Sequence, residues 1–424
     1  MKLEIEVDIR EIGTRGDGIA VLANGERVFV PYTVPGDRVR ARLGEKRPDG
    51  YAGRVIEILA EGEGRATPPC RHFGLCGGCA LQHMDEAHYR RWKLARLETA
   101  LARHGLEAGE IRPLAVTPPG SRRRADFTAV RRQRDLVFGL NARATHQVVD
   151  LAECPVLLPQ IVTLIPALRE LLQALLRPAD RADVIVTATD SGLDLVLVSG
   201  AHLGLGGRER IAAFAEAADL ARVSRRHPKA RGGEVLVMRR PVRARFGESL
   251  VDFPPGGFLQ ASAEGEAALR NAVMAAVGPA RRIADLYAGC GTFGLPLASA
   301  GRQVEAVEGD AHAADALEKA ARDAAGRLRL TVTRRDLERR PLAPDELARF
   351  DAAVIDPPRA GARGQAEALA SSRVPRLAMV SCNPSSFARD ARILCGGGYR
   401  LAWIQPVDQF LWSPHLELMA AFQA

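Results

Sequence analysis

The stretch Asp285-Leu286-Tyr287-Ala288-Gly289-Cys290-Gly291-Thr292-Phe293-Gly294 decides the fold of the second half of the chain. It continues a short apolar run that predicts a strand, and its glycines have the spacing G-x-G-x-x-G. Glycines permit a sharp turn and let the backbone approach a ligand closely. The stretch therefore predicts a cofactor-binding loop between a strand and a helix.

Strand and helix signals alternate around and after this loop. Apolar runs predict strands at Arg282–Tyr287, Gln303–Glu308, Leu328–Thr333, Ala352–Ile355 and Leu377–Val380, an alanine-rich helix at Ala311–Ala325, and a final strand pair at Tyr399–Gln405 and Leu416–Phe422. Such a series predicts a mostly parallel, doubly wound α/β sheet. We expect a Rossmann-like catalytic domain over residues 266–424.

The cofactor of this loop has two interpretations. Glu308 lies 19 residues after Gly289, at the end of the next predicted strand, where an acidic side chain normally binds ribose hydroxyls. That arrangement also fits NAD. Asp285 directly before the loop and the later run Asp356-Pro357-Pro358-Arg359 favour S-adenosylmethionine instead. The two prolines predict a stiff wall against which a flat base can lie.

Cys382 stands in Ser381-Cys382-Asn383-Pro384, directly after a predicted buried strand. The carboxyl ends of strands are where open α/β sheets bind ligands. A free cysteine is usually only a small buried apolar residue, which is our interpretation of Cys290 and Cys395. The place of Cys382 beside the cofactor loop favours a catalytic nucleophile.

Two further regions precede this domain. Short strands separated by turn signals are predicted at Leu3–Ile9, Gly18–Leu22, Arg27–Pro31, Arg38–Leu43 and Ala52–Ile58. Five short strands in residues 1–60 predict an OB-like β-barrel. Residues 61–265 form a predicted central α+β domain, with a helix at Asp85–His104 and strands at Val184–Ala188 and Leu193–Ser199.

Three cysteines of this central region have the pattern Cys70-x5-Cys76-x2-Cys79, and Cys154 is the candidate fourth ligand. Seven cysteines, an odd number, in a chain without a signal peptide argue against a disulfide framework. Four thiolates suit zinc or an iron–sulfur cluster. Zinc sites usually have two Cys-x2-Cys pairs and this chain has one, while no Cys-x3-Cys-x2-Cys pattern of a radical enzyme occurs.

Composition sets broader limits. The 424 residues, 47% of them hydrophobic, predict two or three packed domains, and no apolar run is long enough to cross a membrane. The start lacks the apolar core of a signal peptide, so we expect a cytoplasmic protein, and a monomer. The net charge of +8 favours a polyanionic partner. Candidate phosphate contacts are Arg122–Arg124, Arg131–Arg132 and Arg225–Arg226.

Together these motifs resemble the RNA uracil-C5 methyltransferase family over nearly the whole chain, most of all its TRAM-containing 23S rRNA members. The resemblance implies a TRAM domain for the barrel and a [4Fe-4S] cluster on Cys70, Cys76, Cys79 and Cys154. Gln82-His83 and Tyr89 extend the match. It implies RNA as the substrate, with 23S rRNA favoured and tRNA as the alternative.

The resemblance also implies roles at the site. Cys382 would attack uracil C6, and Glu417 would remove the C5 proton. The residues expected to bind S-adenosylmethionine are Gln260 (in Phe258-Leu259-Gln260), Tyr287, Gly289, Gly291, Glu308, Asp336 and Asp356. The target base has to leave its stack. Two departures concern Thr292, where many members have Asn, and Leu411–Pro414, which replaces a Pro-His-Thr-x pattern.

Other functions stay open at this point. An RNA cytosine-C5 methyltransferase would also need a cysteine nucleophile. An amino-methyltransferase that uses Asp356-Pro357-Pro358 would not need Cys382, so one variant separates the two. A non-catalytic RNA-binding protein, built from the barrel and a metal module, would not bind S-adenosylmethionine.

Overall fold

The computed structural model describes residues 3–230, 232–324 and 326–424. Its first sheet contains β1 (Glu4–Asp8), β2 (Glu11–Ile12), β3 (Asp17–Val21), β4 (Arg27–Pro31), β5 (Arg38–Arg47) and β6 (Gly50–Ala60), in the order β1-β5-β6-β4-β3-β2. The two edge strands β1 and β2 are consecutive in the chain, separated only by Ile9 and Arg10. The short connection brings the two edges of the sheet together, so the sheet forms a small barrel around a valine- and alanine-rich core.

The central region begins with α1 (Glu86–Arg103), which Asp85 caps by accepting the N–H of His88. It continues with β7 (Ala115–Val116), β8 (Arg124–Arg131), β9 (Leu136–Asn141), β10 (Val148–Asp150), α2 (Pro159–Leu175), β11 (Arg181–Thr189), β12 (Gly192–Ser199), α3 (Leu205–Ala217), β13 (Arg222–Arg226) and β14 (Glu234–Met238). All these strands except β7 form one sheet, in the order β10-β9-β8-β11-β12-β13-β14. Helices α2 and α3 pack against this sheet, α2 with a side rich in leucine and isoleucine and α3 with Ile211 and Ala215.

A hairpin of β15 (Arg243–Phe246) and β16 (Ser249–Asp252) leads to the last domain. Its apolar residues pack against residues of the glycine loop and of the following helices, including Leu295 and Leu317. One apolar cluster therefore contains residues from before and after the predicted domain boundary at residue 265. The division into residues 1–60, 61–265 and 266–424 stays a prediction.

The last domain contains α4 (Ala263–Val277), β17 (Arg282–Leu286), α5 (Gly294–Ser299), β18 (Gln303–Glu308), α6 (Ala311–Asp323), β19 (Arg329–Arg334), α7 (Pro344–Leu347), β20 (Ala352–Ile355), α8 (Arg363–Ser372), β21 (Arg376–Ser381), α9 (Pro384–Gly396), β22 (Arg400–Asp408) and β23 (Glu417–Gln423). The strands of this domain form one sheet with β7, in the order β19-β18-β17-β20-β21-β23-β22-β7. The strands β17 to β21 are parallel, and β23 is antiparallel to both its neighbours. The doubly wound α/β prediction is confirmed.

The strand order reverses between β17 and β20, because the chain first moves outward from β17 and then returns to its other side. A crevice opens at such a switch point, beyond the carboxyl ends of the strands. The glycine loop follows β17, Asp356 follows β20, and Cys382 follows β21. Within the described ranges, no helix is long and apolar enough to cross a membrane.

Candidate active site and cysteine cavity

The crevice at the switch point contains a cavity of about 730 Å³. Most residues that the sequence singled out for cofactor binding or catalysis line it: Gln260, Tyr287, Gly289, Glu308, Asp336, Asp356, Cys382 and Glu417. Thr292 and Arg359 also belong to its wall. One cavity thus holds the predicted donor site and the predicted reacting groups, while their roles stay predictions.

The glycine loop is shaped for a ligand at Gly289 but not at Gly291. Gly289 has a φ of +56°, and a Cβ there would meet no atom within 4 Å, so the backbone is open to the cavity. Its N–H donates to Glu308 Oε2 at 2.7 Å. A Cβ at Gly291 would lie 2.5 Å from Leu317 Cδ1. Gly291 is therefore outside the cavity wall, and its lack of a side chain serves helix packing.

Asp285 supports this loop from below. Its carboxyl group is fully buried, and a Cβ at Gly294 would lie 2.6 Å from its Oδ2. Burial, and then the nearby Asp356, raise the pKa of Asp285 to about 8. The carboxyl group is therefore mainly neutral at pH 7. It packs beneath the glycine loop and is not exposed to a ligand.

The register of the sheet brings the predicted nucleophile to the predicted base. Strand β21 pairs with β23 so that Ser381 lies opposite Leu418, which places the next residue, Cys382, beside Glu417 at the same sheet edge. Burial, and then the Glu417 and Asp356 carboxylates, raise the pKa of the Cys382 thiol to about 11. Arg359 acts in the opposite direction, since its cation favours the thiolate.

A chain of side-chain hydrogen bonds runs through the buried wall of the cavity. Gln260 Nε2 donates to Asp356 Oδ2 at 3.4 Å, and Gln260 Oε1 accepts from Gln409 Nε2 at 2.7 Å. Gln409 Nε2 also donates to Glu417 Oε2 at 3.0 Å. Burial raises the pKa of Glu417 to about 8 and that of Asp356 to about 7. Both carboxyls are thus able to exchange protons near neutral pH.

Gln409 was missed in the sequence. It lies directly after β22, in the segment that joins the last two strands, and carries no motif of its own. The only available signal was its place in a loop beside Asp408 and eight residues before Glu417. Arg359 was quoted within its motif without a role.

The four cysteines line a second cavity, of about 350 Å³. All four thiols are free, and Cys70, Cys76 and Cys79 are each close enough to Cys154 for its charge to raise their pKa values. Over residues 3–230, 232–324 and 326–424, no three His, Cys, Asp or Glu side chains are placed to hold a single metal ion. The four cysteines therefore line one space.

The loop between β22 and β23 connects the two cavities. Phe410 lines both of them. The carbonyl oxygen of Trp412 accepts the N–H groups of Ala80 and Leu81, directly after Cys79, at 2.8 and 3.1 Å. The Leu411–Pro414 departure from the family pattern thus lies in the contact between the cysteine segment and the catalytic strands.

A buried ion pair holds this loop to α1. Lys93 and Asp408 are both fully buried and meet at 2.7 Å. Lys93 Nζ also donates to the carbonyl oxygens of Phe410 and His415, and Tyr89 donates to the second oxygen of Asp408. Desolvation lowers the pKa of Lys93 to about 8, and the Asp408 charge opposes that shift.

The arginine triplet at 122–124 differs from the prediction. Arg123 Nε donates to the Gln260 carbonyl oxygen at 2.8 Å, and Arg123 also pairs with buried Glu266. Arg124 donates to the Gly257 carbonyl oxygen at 2.7 Å. These guanidinium groups are used inside the protein, where they hold the segment that carries Gln260, and do not form a free phosphate-binding face. Arg226 lies in the catalytic cavity wall.

Sequence comparisons decide the family. A family model described as tRNA (Uracil-5-)-methyltransferase matches residues 252–422. The chain is 34% identical to the 23S rRNA (uracil(1939)-C(5))-methyltransferase of Halomonas elongata, over 98% of this chain and 88% of that protein. The chain belongs to the RNA (uracil-5-)-methyltransferase family.

Other members are more similar in sequence. The chain is 42% identical to an uncharacterized RNA methyltransferase of Caulobacter vibrioides, over 98% of this chain and 99% of that protein. It is 41% identical to an uncharacterized RNA methyltransferase of Brucella suis, over 98% and 97%.

A solved structure shares the fold. The tRNA (uracil-54, C5)-methyltransferase of Pyrococcus abyssi, in complex with S-adenosyl-L-homocysteine, has a TM-score of 0.76 and 22% identity, and the match covers 98% of this chain and 99% of that chain. It supports the class I methyltransferase fold.

Proposed function

We propose that this protein transfers a methyl group from S-adenosylmethionine to C5 of a uridine in RNA through a covalent adduct. The observation that carries the proposal is the sheet register that places Cys382 beside Glu417 in one cavity with the glycine loop. An adduct mechanism needs a thiol and a proton acceptor that reach the same nucleobase ring. Family membership supports uracil as that nucleobase and C5 as the methylated position.

The donor site fits an adenosyl ligand. Gly289 is open toward the cavity, and Glu308 lies at the end of β18, where a carboxylate binds ribose hydroxyls. Tyr287 and Asp336 complete the wall on this side. S-adenosylmethionine, when bound here, supplies an electrophilic methyl group. The protein's part is to hold its methyl carbon in line with C5 of the base.

The chemical steps belong to two side chains. Uracil C5 is a weak nucleophile, so the Cys382 thiolate first adds to C6 and the electron pair moves to O4. C5 of this enolate then attacks the methyl carbon of S-adenosylmethionine, whose bond to sulfur breaks, and S-adenosylhomocysteine leaves with that electron pair. The Glu417 carboxylate removes the proton from C5, and the electrons of that C–H bond form the C5–C6 double bond and expel Cys382. Cys382 leaves as the thiolate, and Glu417 returns to its carboxylate form when it passes the C5 proton to solvent.

Two features favour 23S rRNA over tRNA as the substrate. The N-terminal barrel has the strand arrangement expected of a TRAM-like RNA-binding module, which the 23S rRNA members carry. The Halomonas relative is named for a 23S rRNA uracil. The net charge of +8 suits either RNA, so tRNA is the alternative. We propose action in the cytoplasm as a monomer.

The cysteine cavity fits a [4Fe-4S] cluster better than zinc. Four soft thiol ligands surround one space, and the sequence has a single Cys-x2-Cys pair where zinc sites usually have two. A four-iron cluster spreads its thiolates more widely. Cys70, Cys76, Cys79 and Cys154 would hold it. No redox step occurs in the proposed chemistry, so we assign it a structural and RNA-positioning role through the loop that contains Phe410.

Mass spectrometry of nucleosides from a strain that lacks the gene tests this function. We expect 5-methyluridine to disappear from one defined 23S rRNA fragment, and wild type but not Cys382→Ala to restore it. Loss of 5-methyluridine from tRNA alone would show that the substrate is tRNA, the alternative given above. Loss of 5-methylcytidine, or no loss from either RNA once a paralogue is excluded, would overturn the proposal.

A further inference from the structure

The amide groups of Gln260 and Gln409 have a defined direction, and the backbone decides it. The N–H of Ala261 can only donate, and it donates to Gln409 Oε1 at 2.9 Å. The amide oxygen of Gln409 therefore faces Ala261, and its –NH2 group faces away. Oxygen and nitrogen of an amide have nearly the same shape, so a fixed donor of this kind is what settles the direction.

The direction is passed on to the next amide. Gln409 Nε2 donates to Gln260 Oε1 at 2.7 Å, which leaves the Gln260 –NH2 group on the side of Asp356. The same Gln409 nitrogen donates to Glu417 at 3.0 Å. One buried side chain thus makes three contacts, each of which needs a donor or an acceptor on a particular side.

The surroundings hold Gln409 in this place. Its side chain is 3% exposed, and a Cβ at Gly265 on α4 would lie 2.7 Å from Gln409 Cβ. The segment of Gln260 and Ala261 is held by Arg123, whose N–H donates to the Ala261 carbonyl oxygen at 2.9 Å. The absence of a side chain at Gly265 therefore makes room for Gln409.

We propose that Gln409 is a positioning residue that keeps the Gln260 –NH2 group toward Asp356 and the cavity, so that the site accepts the edge of uracil and rejects that of cytosine. This inference rests on the proposed function. Uracil presents a carbonyl oxygen at C4 and an N–H at N3, whereas cytosine presents an amino group and a bare ring nitrogen.

In this proposal Gln260 and Asp356, which the family resemblance assigns to S-adenosylmethionine, face the uracil edge, with the Gln260 –NH2 group as donor and the ionised Asp356 carboxylate as acceptor. With cytosine, the Gln260 –NH2 group would meet the amino group at C4, and the Asp356 carboxylate would meet the lone pair of N3. A buried site that leaves polar groups unpaired discriminates strongly between two ligands of similar shape. If the Gln260 amide turned around, its oxygen would face the cavity and the preference would weaken. Gln409 prevents that turn because Gln260 Oε1 keeps a donor on its far side.

The test compares Gln409→Met with Gln405→Met in the full-length, metal-loaded protein. Gln405 lies on β22 and donates to the Pro113 carbonyl oxygen, outside the cavity wall. Binding is measured to two RNA fragments that carry uridine or cytidine at the modified position. We expect Gln409→Met to lose at least about tenfold of the wild-type preference for uridine, and Gln405→Met to keep it.

A second readout separates positioning from general damage. The Gln409 contact lowers the pKa of Glu417, against burial and the charge of Asp356. Cys382 is the other ionisable group beside Glu417, and Arg359 acts on Cys382. Removal of the donor raises the pKa of Glu417. The acid limb of the pH–rate profile for 5-methyluridine release should therefore move to higher pH in Gln409→Met only.

Gln409→Leu serves if the Met variant does not fold, judged by thermal melting and S-adenosylhomocysteine binding. It has no donor for Gln260, so the same loss of preference is expected. An unchanged uridine preference in a folded variant overturns this inference alone. A wild-type protein that forms no 5-methyluridine would instead overturn the proposed function.

Discussion

The two cavities of this protein are built in opposite ways. In the catalytic cavity the polar side chains already bind one another, from Asp356 through Gln260 and Gln409 to Glu417. In the cysteine cavity the four thiols converge on one space, and their hydrogen-bond partners lie in the surrounding segment: Cys76 accepts from Gly78 N–H at 3.4 Å, and Gln82 lies within hydrogen-bond reach of Cys79. The polar groups of the first site are bonded to one another, whereas the thiols of the second surround a space that we propose a cluster occupies.

The first prediction breaks the catalytic cavity only. Cys382→Ala should lower methyl transfer by on the order of 10⁴-fold or more, because the activating bond to C6 is lost. Donor binding should persist, since the glycine loop is untouched. Single-turnover assays with a labelled methyl donor measure the rate. Cys395→Ala, a half-buried thiol in neither cavity wall, is the control and should keep wild-type turnover.

The second prediction breaks the cysteine cavity only. Cys79→Ser should lose bound iron and sulfide and melt at least about 10 °C lower, because a structural metal site contributes directly to folding. Cys395→Ser should keep both. Metal analysis of the wild type should give four iron atoms per chain. One zinc ion per chain would contradict the cluster assignment.

The third prediction concerns the Lys93–Asp408 ion pair, which holds the loop between the two cavities to α1. Lys93→Met should reduce the free energy of unfolding by about 3–5 kcal/mol, because it leaves Asp408 buried without its cation. Arg90→Met removes an exposed pair with Glu86 on the same helix and should change stability by less than about 1 kcal/mol. Urea unfolding measures both. Equal effects would show that the buried pair does not hold the loop.

The fourth prediction sharpens the contrast through pH. Burial raises the pKa of Glu417 to about 8, so its carboxylate form is the minor one at pH 6 and increases about tenfold per pH unit below that pKa. Release of 5-methyluridine in a single turnover should rise accordingly from pH 6 to 8. Glu417→Gln should lack this rise. A flat wild-type profile would contradict the role of Glu417 as the base.

Local signals predicted most of the last domain. The strands at Gln303–Glu308 and Ala352–Ile355 have the predicted bounds, because short apolar runs ended by Gly, Asp or Pro specify both element and end. The predicted strand at Arg282–Tyr287 ends one residue earlier, since Tyr287 turns away with a φ of +62°. The end of the predicted Ala311–Ala325 helix lies outside the described residues, and the described helix ends at Asp323.

What the sequence could not supply were contacts between distant segments. Gln409 meets Gln260 across 149 positions of the chain, and Lys93 meets Asp408 across 315. Nothing local to either residue marks such a partner. The arginine triplet failed for the same reason, since solvent-exposed and internally bonded arginines look alike in a sequence.

Glu417→Gln incubated with substrate RNA and S-adenosylmethionine tests the central claim most directly. Without the base, the methylated adduct cannot lose its C5 proton, so Cys382 stays bonded to C6. Denaturing gels and intact mass spectrometry should show a protein–RNA adduct that carries one added methyl group, and Cys382→Ala combined with Glu417→Gln should abolish it. Release of 5-methyluridine at the wild-type rate, or the absence of any adduct, would contradict covalent catalysis by this pair.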